Sequence, residues 1–205
     1  MSKLKLSYFD FINGRGEAAR LAFVVGGIPF EDHRIPVSEW PNTREQMFFH
    51  AVPVLSRDND ELTQSNTINR FVGKLAGLYP EDAWEAARCD EIMDAVEEML
   101  VKLVATFGSD SPDNLKARRI ALAEGPFPFY LERLHTRLIE AGGEYFADSR
   151  LTVCDLAVAV WIRNLTSGGL DHIPVDLADR IAPLLIEHRD NVLSHPAIQS
   201  FYANG

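Results

Sequence analysis

The chain has 205 residues, 46% of them hydrophobic and 24% charged, with a formal net charge of −10. This composition suits a soluble chain large enough to bury a real core. The acidic balance disfavours a nucleic-acid or anionic-membrane partner, and the longest strongly apolar run, Leu156–Ile162, is far too short to span a bilayer. Lys3 and Lys5 break the only early apolar stretch, so a secretory leader is not expected and a cytoplasmic location is the default. Cys89 and Cys154 are the only cysteines, and His33, His50, His135, His172, His188 and His195 are scattered without an i,i+4 pair. Neither a disulfide framework nor a metal site is expected.

In chain order, Lys3–Phe9 alternates polar and apolar residues as a half-buried strand does. Glu17–Val25 has helical spacing and stops at Gly26-Gly27. Phe30–Ile35 reads as a second strand, and Val37–Phe49, which holds Trp40-Pro41, as irregular. Val52–Ser56 and Glu61–Thr63 read as short strands around Arg57-Asp58-Asn59-Asp60, followed by a helix over Ser65–Ala76. The order is βαβ, then ββα.

From residue 81 the strand signal ends. Trp84, Ile92, Val96, Met99, Leu100, Leu103 and Phe107 recur at helical spacing, which predicts a long amphipathic helix over Ala83–Phe107. Ser111-Pro112 marks a fresh helix start, and Gly125-Pro126-Phe127-Pro128 interrupts that helix. Thr152–Thr166 is apolar on most sides and belongs at the centre of a helical domain, with Thr152 and Asp155 as a capping pair. Residues 1–80 carry nine basic and nine acidic side chains, whereas residues 81–205 carry eleven and twenty-one. Charge and element type thus both point to two domains, 1–77 and 83–205.

Gly14-Arg15-Gly16-Glu17-Ala18-Ala19 admits two functional readings. As G-x-G-x-x-A between a strand and a helix it fits a dinucleotide-binding loop, and hence a dinucleotide-dependent oxidoreductase. Three features oppose this. Lys3, Lys5 and Ser7 imply that one face of the first strand meets water, Glu31-Asp32 begin rather than end strand two, and the βαβ repeat does not continue.

Taken with the rest of the chain, the loop supports another reading. Tyr8-Phe9, Glu31-Asp32-His33-Arg34-Ile35, Trp40-Pro41, Val52-Pro53-Val54-Leu55, Gln64-Ser65 and Thr152-x-x-Asp155, in this order and spacing, resemble the cytosolic glutathione transferases, and in detail their sigma class. The resemblance covers nearly the whole chain. It implies a thioredoxin-like α/β N-terminal domain (βαβ-ββα) that binds glutathione, followed by an all-α C-terminal domain carrying the electrophile pocket and much of a homodimer interface.

The resemblance also implies roles. Tyr8 stabilises the glutathione thiolate and Arg15 lends positive field. Trp40 and Arg44 contact the glycine end of glutathione. Val52, before a cis Pro53, pairs with its cysteinyl backbone; Gln64 and Ser65 receive the glutamyl carboxylate. Glu98 from the partner subunit meets the glutamyl ammonium. Phe9, Val104 and Trp161 are expected to line the pocket for an apolar electrophile. Two departures stand out: the loop is one residue longer through Ile12-Asn13-Gly14, and Ala51 stands where many members have a lysine. Glutathione is the only co-substrate implied, with no metal. A catalytically idle, crystallin-like relative is the remaining alternative, although such a protein has no need of Tyr8, Arg15, Trp40, Gln64 and Ser65 together.

Overall fold

The computed structural model describes residues 3–204; Met1, Ser2 and Gly205, at the outer ends of the two expected domains, lie outside them. The first part comprises β1 (Leu4–Phe9), α1 (Glu17–Val25), β2 (Glu31–Ile35), α2 (Trp40–Thr43), β3 (Val54–Arg57), β4 (Asp60–Thr63) and α3 (Ser65–Leu75). The sheet order is β2-β1-β3-β4. Strand β1 pairs in parallel with β2, through the α1 crossover, and antiparallel with β3, which forms a hairpin with β4. Arg57 faces Asp60 across a two-residue turn in which Asp58 takes a φ of 55°, the left-handed conformation such tight turns need. Two antiparallel pairings, both through β3, and no further βαβ unit among the described residues make this no doubly wound sheet, which removes the structural basis of the dinucleotide reading.

Two details differ from expectation. Residues 37–46 are not irregular: two 3₁₀ turns, Val37–Glu39 and Arg44–Gln46, flank α2, and only 47–49 remain without regular structure. Turns this short show too little periodicity to be read from sequence. Ser7 does not face water either. It is 5% exposed, and its Oγ lies 2.9 Å from His33 Nδ1 on β2.

The second part is helical: α4 (Ala83–Val104), α5 (Pro112–Glu124), α6 (Pro126–Glu140), α7 (Val153–Thr166), α8 (Leu177–Ile181), α9 (Pro183–Leu193) and α10 (Pro196–Asn204). Local chemistry sets the starts. Asp82 accepts from the Trp84 and Glu85 N–H groups at 2.9 and 3.0 Å, and Ser111 accepts from Asn114 N–H ahead of Pro112. Helix α4 ends earlier than its apolar period suggests, because Thr106 and Phe107 bond back only three residues and Gly108 turns the chain at φ 72°.

Helix α7 is the core of the molecule. Every residue from Val153 to Ile162 is buried, and the helix packs against α1, α4 and α9. One continuous apolar cluster runs from Leu6, Leu21 and Val72 to Leu156, Trp161 and Leu185. The start of α7 is fixed by Asp155: its Oδ2 accepts from the Thr152 N–H (2.8 Å) and Thr152 hydroxyl (2.7 Å). Its Oδ1 accepts from Phe146 N–H and lies 3.0 Å from His188 Nε2. Among the described residues, no helix is long and apolar enough to cross a membrane.

Candidate active site

The sheet topology gathers distant sequence at one place. Ser7 pairs with Val54, and Val54 with Thr63. The end of β1, the start of β3 and the end of β4 therefore share one edge of the sheet. Tyr8, Val52-Pro53 and Gln64-Ser65 all fall there.

Tyr8 is 5% exposed. The loop after β1 folds over its ring, and the two glycines make this possible. A Cβ on Gly14 would stand 2.5 Å from the Tyr8 hydroxyl, and Gly14 itself has a φ of 88°. A Cβ on Gly16 would collide with the Tyr8 ring. So folded, the loop directs the Arg15 N–H onto Tyr8 Oη at 3.0 Å. Burial pushes the Tyr8 pKa up, and the Arg15 N–H and the charges of Arg15 and Arg20 only partly oppose this. Tyr8 is thus a neutral hydroxyl at physiological pH, already accepting one hydrogen bond and holding its own proton to donate.

The loop is fastened from below by Arg20, a residue that apolar periodicity alone does not single out. Arg20 is fully buried and donates to the Phe9 and Phe11 carbonyls at 3.0 Å each. It also binds Glu17 (3.0 Å) and Asp32 (2.8 Å). The other Glu17 oxygen accepts from the Tyr202 hydroxyl of α10 at 2.8 Å. The Glu17/Arg20 spacing of i,i+3 is a sequence signal for a pair, but nothing in the sequence places it inside the core.

The Arg15 guanidinium turns to α4. Its Nε lies 2.9 and 3.0 Å from the two Glu97 oxygens, and Nη2 lies 2.9 Å from one of them. The acid that α4 brings to the loop is therefore Glu97. Glu98 bonds instead to the Tyr130 hydroxyl on α6. The signal was available: Glu97 follows Met93 by four residues and precedes Leu100 by three, sharing their helix face.

The Val52–Pro53 bond is cis. Gln64, immediately before α3, has φ 70° and ψ 116°, a conformation costly for a side-chain-bearing residue and concentrated at functional sites. Ser65 opens α3 beside it. Trp40 packs edge-on against Phe9 with ring centroids 5.1 Å apart. Arg44 is exposed and lies 3.9 Å from Glu45; His50, ahead of Ala51, lies 3.5 Å from the same carboxylate.

A narrow cleft of about 20 Å³ opens between the two parts of the chain, lined by Gly14, Arg15 and Ser65 on one side and by Val96, Glu97 and Trp161 among others on the opposite side. Of the three expected pocket residues, Trp161 lines it. Phe9 is engaged with Phe11 and Trp40, and Val104 is exposed near the end of α4.

Residues 97–205 match the family model for the glutathione S-transferase C-terminal domain. Glutathione S-transferase 1 of Ascaris suum is 33% identical over 77% of this chain and 78% of its own. The chain belongs to the glutathione S-transferase family. Within that family, the hematopoietic prostaglandin D synthase of Gallus gallus is 29% identical over 98% of this chain and 96% of its own. The solved prostaglandin synthase D of Nilaparvata lugens superposes with a TM-score of 0.87 at 27% identity, over 98% of this chain and 97% of that one. The fold is that of the glutathione S-transferases: a thioredoxin-like four-stranded unit with flanking helices, then an all-helical domain.

Proposed function

We propose that this chain is a tyrosine-type, sigma-like glutathione transferase that adds the glutathione thiolate to apolar electrophiles. Residues 1–77 bind glutathione, and residues 83–205 carry the electrophile pocket and most of a dimer interface. One observation carries the reading: a buried, neutral Tyr8 hydroxyl that accepts from the Arg15 N–H and keeps its proton to give. Free glutathione has a thiol pKa of about 8.5, so only a few per cent is thiolate at neutral pH. A donor held against the sulfur favours the anion, and a depression of about two units corresponds to about 2.7 kcal/mol. The thiolate then attacks the electrophilic carbon and the leaving group departs with its electron pair.

Arg15 assists chiefly through its backbone, because Glu97 neutralises much of its guanidinium charge. Val52 and Pro53 present backbone groups to the cysteinyl part of glutathione. Gln64 and Ser65 receive the glutamyl carboxylate at the N-terminus of α3, where N–H groups point outward. Trp40 and Arg44 close the glycine end, and Trp161 walls the electrophile site. The absence of a lysine at Ala51 predicts weaker glutathione affinity.

A homodimer completes the site. Phe48 and Phe49 project from the segment before β3 at 73% and 58% exposure. An open groove of about 380 Å³ between α4 and α6, lined by Ile92, Ala95, Phe129, Tyr130 and Leu134 among others, offers the apolar surface that such side chains bury against. Glu98 lies beside this groove through Tyr130, where it reaches the glutamyl ammonium of glutathione in the partner.

The test uses wild type and Tyr8→Phe with glutathione and a chromogenic aryl halide. The expected outcome is conjugation by wild type and, in Tyr8→Phe, a rise in the bound thiol pKa of about two units with a rate loss of about 100-fold at neutral pH. No conjugation and no retention on immobilised glutathione by wild type would mark an idle relative. A full rate in Tyr8→Phe would remove Tyr8 from the chemistry.

A further inference from the structure

We propose that Asn13 is a site of spontaneous deamidation, and that its aspartyl and isoaspartyl products release the loop after β1 from Tyr8. The consequence for catalysis rests on the transferase reading; the modification itself does not.

Asn13-Gly14 is the pair that closes a succinimide ring with least hindrance, since glycine has no side chain to crowd it. Folding protects such a pair when hydrogen bonds hold the amide and the following N–H in place. Asn13 lacks that protection. It is half-buried in a stretch, 10–14, that belongs to no helix or strand. Its Oδ1 is enclosed yet has no hydrogen-bond partner among the described residues. The Gly14 N–H donates to no backbone carbonyl among them, while the Gly14 carbonyl accepts from the Glu17 N–H at 3.3 Å. The chain is pinned on either side. Arg20 holds the Phe9 and Phe11 carbonyls, and the Arg15 N–H binds Tyr8 Oη. Ile12 and Asn13, between these anchors, are held by neither.

The Gly14 backbone nitrogen, on losing its proton to solvent, attacks Asn13 Cγ. The bond from Cγ to the side-chain nitrogen breaks, and that nitrogen takes up a proton and leaves as ammonia. Water then opens the succinimide. Attack at Cγ restores the original peptide bond and gives aspartate; attack at the main-chain carbonyl leaves the chain running through Cγ, as isoaspartate. The net reaction consumes the amide and one water and yields a carboxylate and ammonium. Both products place a charge where a neutral amide stood. The enclosed Oδ1 position offers a carboxylate no partner, so the group must move out to water. Isoaspartate also adds a methylene to the main chain. The loop has no slack to absorb either change: a Cβ on Gly14 would already stand 2.5 Å from the Tyr8 hydroxyl. The loop therefore lifts, the Arg15 N–H leaves Tyr8 Oη, and the new negative charge opposes the thiolate.

The experiment incubates the wild-type chain at mildly alkaline pH. Residue 13 is followed by peptide mapping and mass spectrometry, which separate it from the other Asn-Gly pair, Asn204-Gly205. Conjugation of a chromogenic aryl halide is measured at neutral pH in the same samples. Asn13 should convert at a rate within about 10-fold of that in a short synthetic peptide spanning residues 10–17, since no local unfolding is needed. The modified fraction should lose about 10-fold in kcat/KM, the equivalent of a rise of about one unit in the bound thiol pKa. Asn13→Asp should show that fall without incubation. Asn13→Gln, whose longer side chain must close a larger ring, should keep its own starting rate over the same period. An Asn13 that stays intact while the peptide converts overturns the proposal. Full activity in the converted protein, or in Asn13→Asp, overturns it as well. A wild type that is inactive from the outset removes the transferase reading alone, because the mass of residue 13 is read without any activity.

Discussion

The hydroxyl of Tyr202 is expected to stabilise the fold from the far end of the chain. Its oxygen lies 2.8 Å from Glu17 Oε1, and the other Glu17 oxygen lies 3.0 Å from Arg20 Nη1. Glu17 and Arg20 are both fully buried, so water cannot replace the lost donor in Tyr202→Phe. Leaving a buried acceptor short of a partner costs about 1–3 kcal/mol, with a charged group toward the upper end. The substitution isolates this term, since the Arg163 guanidinium stacked 4.3 Å over the ring centroid finds a phenyl ring in the same place. In a chain of this length each kcal/mol corresponds to about 2–4 °C in Tm. Urea unfolding should show a lower midpoint at unchanged slope. Because Arg20 also holds the Phe9 and Phe11 carbonyls, conjugation activity should survive at 25 °C but fail several degrees earlier on heating. A double-mutant cycle with Glu17→Gln should return a coupling of about 1 kcal/mol or more. A loss below about 0.3 kcal/mol in Tyr202→Phe, or no coupling to Glu17, would refute the reasoning.

Asp155→Asn should cost about 3–5 kcal/mol in urea unfolding, the range for breaking a buried charged network, since both its oxygens are committed inside the core. The pH dependence of conjugation should stay as in wild type, and a shift would instead place Asp155 in the chemistry. Alkaline stability should follow three tyrosines. Burial raises the pKa of Tyr8 and of Tyr202, the latter also through Glu17, and burial with a bond to Asp90 pushes Tyr79 up to about 12. The folded state then holds protons that the unfolded chain releases near pH 10, so stability is full below about pH 10 and falls above it. A Tm unchanged between pH 9 and 11 would contradict this, and Tyr202→Phe should make the fall shallower. Phe49→Ser should shift sedimentation toward the monomer and reduce activity per chain; an unchanged dimer would remove Phe49 from the interface.

Much of the local structure could be read from residue order. Ser111-Pro112, Gly125-Pro126 and Thr152-x-x-Asp155 act within a few residues of themselves, and the helices begin or break where they stand. Residues 37–49 were harder, because turns of three or four residues carry no period. The site was legible as a set of positions resembling a family, from Tyr8 to Ser65, without the contacts that join them. Arg15 illustrates the limit. The glycines beside it announced a tight turn, yet its backbone serves Tyr8 while its side chain serves Glu97.

The sequence by itself determined element types, helix starts, the change from mixed to helical structure and the candidate residues, because propensity, capping and periodicity are local. Only the tertiary structure decided that Glu97 rather than Glu98 meets Arg15. Adjacent residues on a helix point about 100° apart, and the roll of α4 against α6 and α7 selects between them. It also decided that Arg20, Glu17 and Tyr202 form one buried network across 185 residues of chain, and that Trp161 and Asn69 share a cleft with unpaired polar atoms. Burial depends on what packs from elsewhere, and no local pattern contains that information.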